Sequence, residues 1–124
     1  MARCELTHLA RSPIDVTLAE RQHAAYAHAL TTLGCRLLEL PPEPDLPDSV
    51  FVEDTTVVLD EVAVLTRPGA ASRLAEVDSV AAVLALWRPC VRIEAPGTLD
   101  GGDVLRVGRD LYVGQSGRSN AAGI

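Results

Sequence analysis

The stretch LPDSVFVEDT, residues 46–55, carries the pattern on which our interpretation of the fold rests. Its apolar run, Val50–Val52, is followed by two adjacent carboxylates, Glu53 and Asp54. A third carboxylate, Asp48, precedes the run. We interpret the run as a strand, and because a strand directs successive side chains to opposite faces, Glu53 and Asp54 are expected to have different roles. Carboxylates grouped at a strand end suit a bound cation, and a planar guanidinium fits them best because it donates paired hydrogen bonds.

A second acidic segment, GTLDGGD at residues 97–103, follows in the same order of predicted elements. Each of the two units consists of a strand, an acidic loop, a hairpin and then an arginine where a helix begins. Equivalent positions recur at one spacing, namely Asp54 with Asp100, Leu59 with Leu105 and, one residue closer, Arg73 with Arg118. This spacing indicates an internal repeat whose units bury their apolar faces only against neighbouring units.

The size and composition of the chain are those of a globular protein. Its 124 residues, of which 48% are hydrophobic, suffice for one domain, and we predict a single domain, 1–124. The net charge of −6 and the scattering of the 11 basic residues, all arginine, argue against a nucleic-acid partner. No apolar run approaches the roughly 20 residues of a membrane span. The cysteines, Cys4, Cys35 and Cys90, are odd in number and far apart, which predicts neither a disulfide framework nor a zinc site and favours a reducing cytoplasm.

The first third of the chain is predicted to hold one helix and one short strand. Asp15 is a good N-cap and Gly34 a good C-cap, and apolar residues recur at helical spacing between them. A strand is predicted at Arg36–Leu40. The prolines at positions 41, 42, 44 and 47 exclude a helix there and indicate an extended connection.

The remaining elements alternate between strands, hairpins and helices, which predicts an α/β protein. In chain order we predict the strand Val50–Val52, a hairpin of Val57–Leu59 and Val62–Thr66, a helix from about Ser72 to Trp87, the strand Val91–Ile93, a hairpin of Asp103–Val107 and Leu111–Gly114, and the beginning of a helix at Ser119–Ile124.

Three blocks of the sequence resemble the dimethylarginine dimethylaminohydrolase family, a branch of the guanidine-modifying (pentein) enzymes. They are residues 46–55, TRPGAASR at 66–73 and GTLDGGDVL at 97–105, and the resemblance extends from about Leu6 to Ile124. It implies an α/β-propeller of five strand-hairpin-helix units around a pseudo-axis that carries the active site. This chain would form a partial propeller of about two to three such units.

The resemblance also implies an activity, the hydrolysis of N-methylated arginine (dimethylarginine) to citrulline and a methylamine. In that family a cysteine thiolate attacks the guanidinium carbon and a histidine protonates the leaving amine, with no metal and no organic cofactor. By this resemblance Asp54, with Glu53 beside it, would bind the guanidinium of the substrate, and Asp48 would contact its amino-acid end. The backbone carbonyl of Leu6 would accept a hydrogen bond from the α-amine of the substrate, and Arg73 and Arg118 would bind the substrate carboxylate. Asp100 is similar to the carboxylate that orients the catalytic histidine.

The nucleophilic cysteine and the catalytic histidine of the family have no matching positions in this sequence. The residues of these types that are present, and that do not match, are Cys4, Cys35, Cys90, His8, His23 and His28. We therefore expect an incomplete domain, the N-terminal part of a dimethylargininase-like propeller. It would carry the half of the site that binds the guanidinium and the carboxylate of the substrate, and it would have no catalytic activity alone.

Two alternatives stay open. One is another guanidine-modifying reaction, of the arginine deiminase or amidinotransferase type, because those relatives share the repeat and the carboxylates that bind the guanidinium. The other is a non-catalytic binding or assembly module, since an incomplete ring exposes strand edges and apolar faces that invite association, for example between copies of the chain. The expected partner is a small molecule, a methylated arginine, and neither a nucleic acid nor a membrane.

Overall fold

The computed structural model describes Cys4, Ala10 and residues 12–124 of the chain. Leu6, whose carbonyl the resemblance assigns to the substrate amine, and His8 lie outside the described residues. The chain divides into two compact units, residues 1–47 and residues 48–124. Among the described residues no helix is long and apolar enough to cross a membrane.

The first unit contains the helix α1 (Val16–Thr32). Its N-cap is Asp15, as predicted, whose Oδ1 accepts a hydrogen bond of 2.9 Å from the backbone N–H of Leu18. Gly34 lies just beyond the helix with a φ of 88°, a conformation that glycine adopts without steric cost. The strand predicted at Arg36–Leu40 is wrong. Residues 36–40 lie outside both sheets that the described residues form, and an extended segment becomes a strand only where a neighbouring strand pairs with it.

A three-stranded sheet organises the second unit. The strands β1 (Thr56–Val58) and β2 (Ala63–Leu65) are antiparallel, which confirms the first predicted hairpin. The strand β3 (Cys90–Arg92) runs parallel to β2 on its other side. A parallel neighbour requires a crossover, and α2 (Glu76–Leu84), preceded by a 3₁₀ turn at Ala71–Arg73, supplies it.

The second predicted hairpin is also confirmed, as β4 (Val104–Val107) and β5 (Asp110–Val113) joined through Gly108. The helix expected to begin at Ser119–Ile124 is wrong, because the chain forms a turn there. The side-chain oxygen of Asn120 accepts hydrogen bonds from the N–H groups of Ala122 and Gly123, which holds those groups in a turn.

Two further predictions need correction. The run Val50–Val52 is not a strand, and the chain instead forms a 3₁₀ turn at Val52–Thr55 that leads into β1. Local hydrogen bonds of the turn type explain the difference, since Phe51 N–H donates to the carbonyl of Asp48 and Asp54 N–H donates to the carbonyl of Phe51. The helix α2 is shorter than predicted, because residues 71–73 form a separate 3₁₀ turn.

The apolar core of the second unit lies between β2 and α2. Leu65 of β2 packs with Val77 and Ala81 of α2, and Cys90 of β3 packs against this cluster. Val77 and Ala81 are four residues apart and therefore share one face of the helix. This packing fixes the N-terminal turn of α2, where Glu76 lies next to Val77, and so fixes the first element of the candidate site.

Candidate functional site

Arg73 is the centre of a buried charged cluster in the second unit. Its side chain is only 2% exposed, although it stands at the end of a short 3₁₀ turn. Its Nη1 donates a hydrogen bond of 2.8 Å to Oδ2 of Asp54, and its Nε donates one of 2.9 Å to Oε2 of Glu76. Its Nη2 lies 2.9 Å from the same Oε2 and donates to the backbone carbonyl of Asp48 at 3.3 Å. The guanidinium is therefore held by partners along each of its edges.

The electrostatics of the cluster keep Arg73 charged. Burial by itself lowers the pKa of an arginine, because it penalises the charged form. The hydrogen bonds to Asp54 and Glu76 and the charges of both carboxylates outweigh burial, so the pKa of Arg73 is raised above its ordinary value. The stabilisation that such a raised pKa provides is complete at every pH below the ordinary arginine range and is lost only above it.

Asp54 is fixed from two sides and still reaches solvent. Its Oδ2 accepts from Arg73, and its Oδ1 accepts a hydrogen bond of 3.1 Å from the backbone N–H of Gly102. Its side chain is 19% exposed. A carboxylate offers about four lone-pair sites, so acceptor capacity remains for a further donor. Asp54 is thus an oriented and partly accessible anion.

Asp100, the repeat-related counterpart of Asp54, lies near the same nitrogen of the Arg73 guanidinium. Its Oδ2 is 3.8 Å from Nη1 of Arg73 and accepts a hydrogen bond of 3.1 Å from Nη1 of Arg118. Its Oδ1 accepts from the backbone N–H of Gly69 at 3.2 Å. The side chain of Arg118 is 26% exposed, whereas that of Asp100 is 5% exposed. Of the two arginines, Arg118 is the accessible one.

Two serines that sequence reasoning missed hold the second acidic loop. The Ser119 hydroxyl is buried, accepts a hydrogen bond from the backbone N–H of Asp100 and donates to Oδ2 of Asp103 at 2.5 Å. The Ser116 hydroxyl donates to the same oxygen of Asp103 at 2.7 Å and accepts from the N–H groups of Arg118 and Ser119. These bonds tie the Arg118 segment to the loop that carries Asp100.

Glu76 is the other residue that sequence reasoning missed. It begins α2, is 1% exposed and contacts Arg73 at a spacing of three residues. That spacing, an acid three residues after an arginine where a helix begins, is the signal that could have identified it.

The structure brings five of the predicted site residues together and leaves the others at its margin or undescribed. Those brought together are Asp48, Asp54, Arg73, Asp100 and Arg118. Asp48 is buried and offers its backbone carbonyl to Arg73. Glu53 is exposed in the turn beside Asp54. Cys90 packs against the apolar core, and Cys35 is exposed in the first unit.

The charges of the cluster do not cancel. Three carboxylates (Asp54, Glu76, Asp100) surround two guanidinium groups (Arg73, Arg118), which leaves one unit of negative charge on these five side chains. Within the part of the chain that the structure describes, no three acidic, histidine or cysteine side chains are arranged to hold a metal ion. A partly exposed carboxylate in a cluster of negative charge suits an organic cation that donates hydrogen bonds.

Curated proteins of one family are similar to this chain. An N(G),N(G)-dimethylarginine dimethylaminohydrolase from Streptomyces coelicolor is 50% identical over 120 residues, which are 96% of this chain and 46% of the relative. The enzyme of the same name from Pseudomonas aeruginosa is 43% identical over 111 residues, 88% of this chain and 44% of the relative. The chain therefore spans about half the length of the curated relatives that it matches. No family model matches the sequence.

Solved structures of dimethylarginine dimethylaminohydrolases are also similar to this chain. A dimethylarginine dimethylaminohydrolase adduct with S-methyl-L-thiocitrulline superposes with a TM-score of 0.85 at 43% identity and covers 88% of this chain and 44% of that one. A mutant of the Pseudomonas aeruginosa enzyme in complex with citrulline gives the same TM-score, identity and coverage. The amidinotransferase SxtG from Microseira wollei has a TM-score of 0.73 at 14% identity over 86% of this chain and 43% of that one, which shows a shared fold alone. The α/β fold of this chain is thus the one found in these guanidine-modifying (pentein) enzymes.

Proposed function

This chain belongs to the dimethylarginine dimethylaminohydrolase family, and we propose that it supplies the guanidinium-recognition part of a hydrolase that converts N-methylated arginine to citrulline and a methylamine. The observation that carries the proposal is the fixed orientation and partial exposure of the Asp54 carboxylate. Arg73 and Gly102 hold its carboxylate in one orientation, while the side chain stays 19% exposed and able to accept further hydrogen bonds.

A guanidinium substrate matches this carboxylate in charge and in shape. The substrate is a planar cation, and a carboxylate whose plane is already fixed can fix the substrate plane in turn. Orientation of this kind lowers the barrier to attack on the guanidinium carbon, because the reacting groups are held close and aligned. The residual negative charge of the cluster favours the cationic substrate over its neutral ureido product.

The other parts of the substrate have their own proposed contacts. Glu53, exposed beside Asp54, is the proposed second ligand of the guanidinium, and Arg118, which is 26% exposed, is the proposed ligand of the carboxylate. Asp48 and the carbonyl of Leu6 are proposed for the amino-acid end. Arg73 is buried and already engaged by Asp54 and Glu76, which supports a contribution from behind Asp54 rather than direct contact with the substrate.

The covalent chemistry belongs, in our proposal, to the complete enzyme. A cysteine thiolate attacks the guanidinium carbon there, and a histidine oriented by Asp100 protonates the leaving amine. We propose that the 124 residues of this chain form two to three of the five propeller units, bind the substrate and do not turn it over. We also propose a cytoplasmic location, which the free thiols of Cys35 and Cys90 support.

Calorimetric titration of the chain with asymmetric dimethylarginine tests the proposal. We expect binding that is stronger than the binding of citrulline. The Asp54→Asn variant should weaken the affinity for dimethylarginine by at least about tenfold, because it removes a charged acceptor. The Asp60→Asn variant is the matched control, since the Asp60 side chain is 81% exposed and pairs with Arg106 away from the cluster.

Three outcomes would contradict the proposal. They are equal affinity for dimethylarginine and citrulline, unchanged affinity in a folded Asp54→Asn variant, and the absence of any binding. Release of citrulline by the purified chain, abolished by Asp54→Asn, would contradict the division between binding and chemistry.

A further inference from the structure

We infer that Glu76 is a positioning residue of the guanidinium site: it holds Arg73 where its Nη1 lies close to the carboxylates of both Asp54 and Asp100. The expected effect on ligand affinity rests on the proposed function, whereas the expected effect on the two carboxylates does not. No role in the site follows for Glu76 from the sequence resemblance.

Glu76 fixes the plane of the Arg73 guanidinium. Two donors on one edge of that group, Nε and Nη2, both lie 2.9 Å from Oε2 of Glu76. With this edge fixed, the remaining nitrogen, Nη1, can only point away from α2. Nη1 accordingly lies 2.8 Å from Oδ2 of Asp54 and 3.8 Å from Oδ2 of Asp100.

Glu76 is itself fixed by the core of the second unit. It is the first residue of α2 and precedes Val77, which is 1% exposed and packs with Leu65. Its position is therefore set by the contact of the helix with the sheet, and the chain Glu76–Arg73–Asp54 transmits that position to the site. An arginine side chain loses conformational entropy when it is held in this way, and this entropy is lost on folding and not on ligand binding.

The position of Arg73 affects the repulsion between two neighbouring carboxylates. Asp54 and Asp100 come from the two repeated segments, and like charges placed this close repel each other. One guanidinium nitrogen, which lies 2.8 Å from an oxygen of Asp54 and 3.8 Å from an oxygen of Asp100, offsets the repulsion and limits their separation. If Asp54 binds the substrate and Asp100 orients a catalytic group, this separation also sets the distance between the two functions.

Two backbone amides report on the positions of these carboxylates without any ligand. The N–H of Gly102 donates to Oδ1 of Asp54, and the N–H of Gly69 donates to Oδ1 of Asp100. Hydrogen exchange followed by NMR on the full chain measures both. In Glu76→Gln we expect exchange at both amides to become about tenfold faster, because each loses a well-placed charged acceptor.

The matched control is Asp78→Asn, which removes a carboxylate from the same helix. Asp78 pairs with Arg92 at the surface, with a side chain that is 72% exposed, and its removal should leave both amides unchanged. Unchanged exchange at Gly102 and Gly69 in a folded Glu76→Gln variant would overturn the inference. If Glu76→Gln does not fold, the same amides are measured in Glu76→Asp, which keeps the charge and shortens the reach, and unchanged exchange there overturns it equally.

Ligand affinities separate positioning from charge. Glu76→Gln should weaken the binding of dimethylarginine and of neutral citrulline by similar factors of about tenfold, since misplaced carboxylates serve both ligands poorly. Weakening confined to dimethylarginine would show that Glu76 acts only by its charge and would overturn the positioning role. If the unaltered chain binds neither ligand, the proposed function fails for this chain, while the amide measurement still decides the role of Glu76.

Discussion

The backbone N–H of Gly102 donates a hydrogen bond of 3.1 Å to Oδ1 of Asp54, and this bond joins the two acidic segments of the chain. The contact depends on close approach of the two backbones. A Cβ atom on Gly101 would overlap the carbonyl oxygen of Glu53, so that position has no room for a side chain. The glycines of the second segment therefore allow the first segment to present Asp54 in a fixed orientation.

Replacement of Gly101 by alanine should separate the two segments. We expect Gly101→Ala to lower the free energy of unfolding by about 1–3 kcal/mol, because the added methyl group meets backbone and not a flexible side chain. Chemical denaturation measures this change. Gly117→Ala is the matched control, since a Cβ at Gly117 meets nothing within 4 Å. Equal stability of the two variants would contradict the close approach.

Removal of Arg118 should affect ligands that carry a carboxylate. We expect Arg118→Gln to weaken the binding of dimethylarginine by about tenfold, because the proposed charge-assisted contact with the substrate carboxylate is lost. Its affinity for dimethylagmatine, which lacks that carboxylate, should change much less. Arg109→Gln is the control, since Arg109 is 89% exposed in a surface pair with Glu61. Equal losses for both ligands would show that Arg118 does not bind the carboxylate.

Ser119 should stabilise the loop that carries Asp100. Ser119→Ala removes the acceptor of the Asp100 N–H and a donor to Asp103, both of them buried or partly buried. We expect the free energy of unfolding to fall by about 1–3 kcal/mol, because a buried polar group is left unsatisfied. Thermal unfolding of this variant and of Ser12→Ala, which alters an exposed serine, provides the comparison. A change no larger than that of the control would contradict this role.

Local signals in the sequence predicted much of the fold. The N-cap at Asp15 and both hairpins follow from short-range hydrogen bonding and alternating apolar residues, and the structure confirms them. The predicted strand at Val50–Val52 failed for a local reason as well. Hydrogen bonds between residues three positions apart compete there with an extended chain, and apolar character alone does not decide between the two.

The sequence pointed to most residues of the candidate site, including Arg73, but not to Glu76 and not to the burial of Arg73. The internal repeat related Asp54 to Asp100, and the family resemblance named both as site residues. Nothing in their spacing showed that Arg73 would be buried next to both of them and held by Glu76, because a buried ion pair is decided by packing across the unit. The burial of the Arg73 and Glu76 side chains depends on how α2 packs against the sheet.

The most direct test of the central claim, that Asp54 binds a guanidinium ligand, is an NMR titration of the full chain with asymmetric dimethylarginine. The amide of Gly102 should shift progressively and reach saturation, because its hydrogen-bond acceptor is the carboxylate that receives the ligand. The amide of Gly108, at the tip of the β4–β5 hairpin, should not move. A saturating titration that leaves Gly102 unshifted, or one that shifts Gly108 as strongly, would contradict the account.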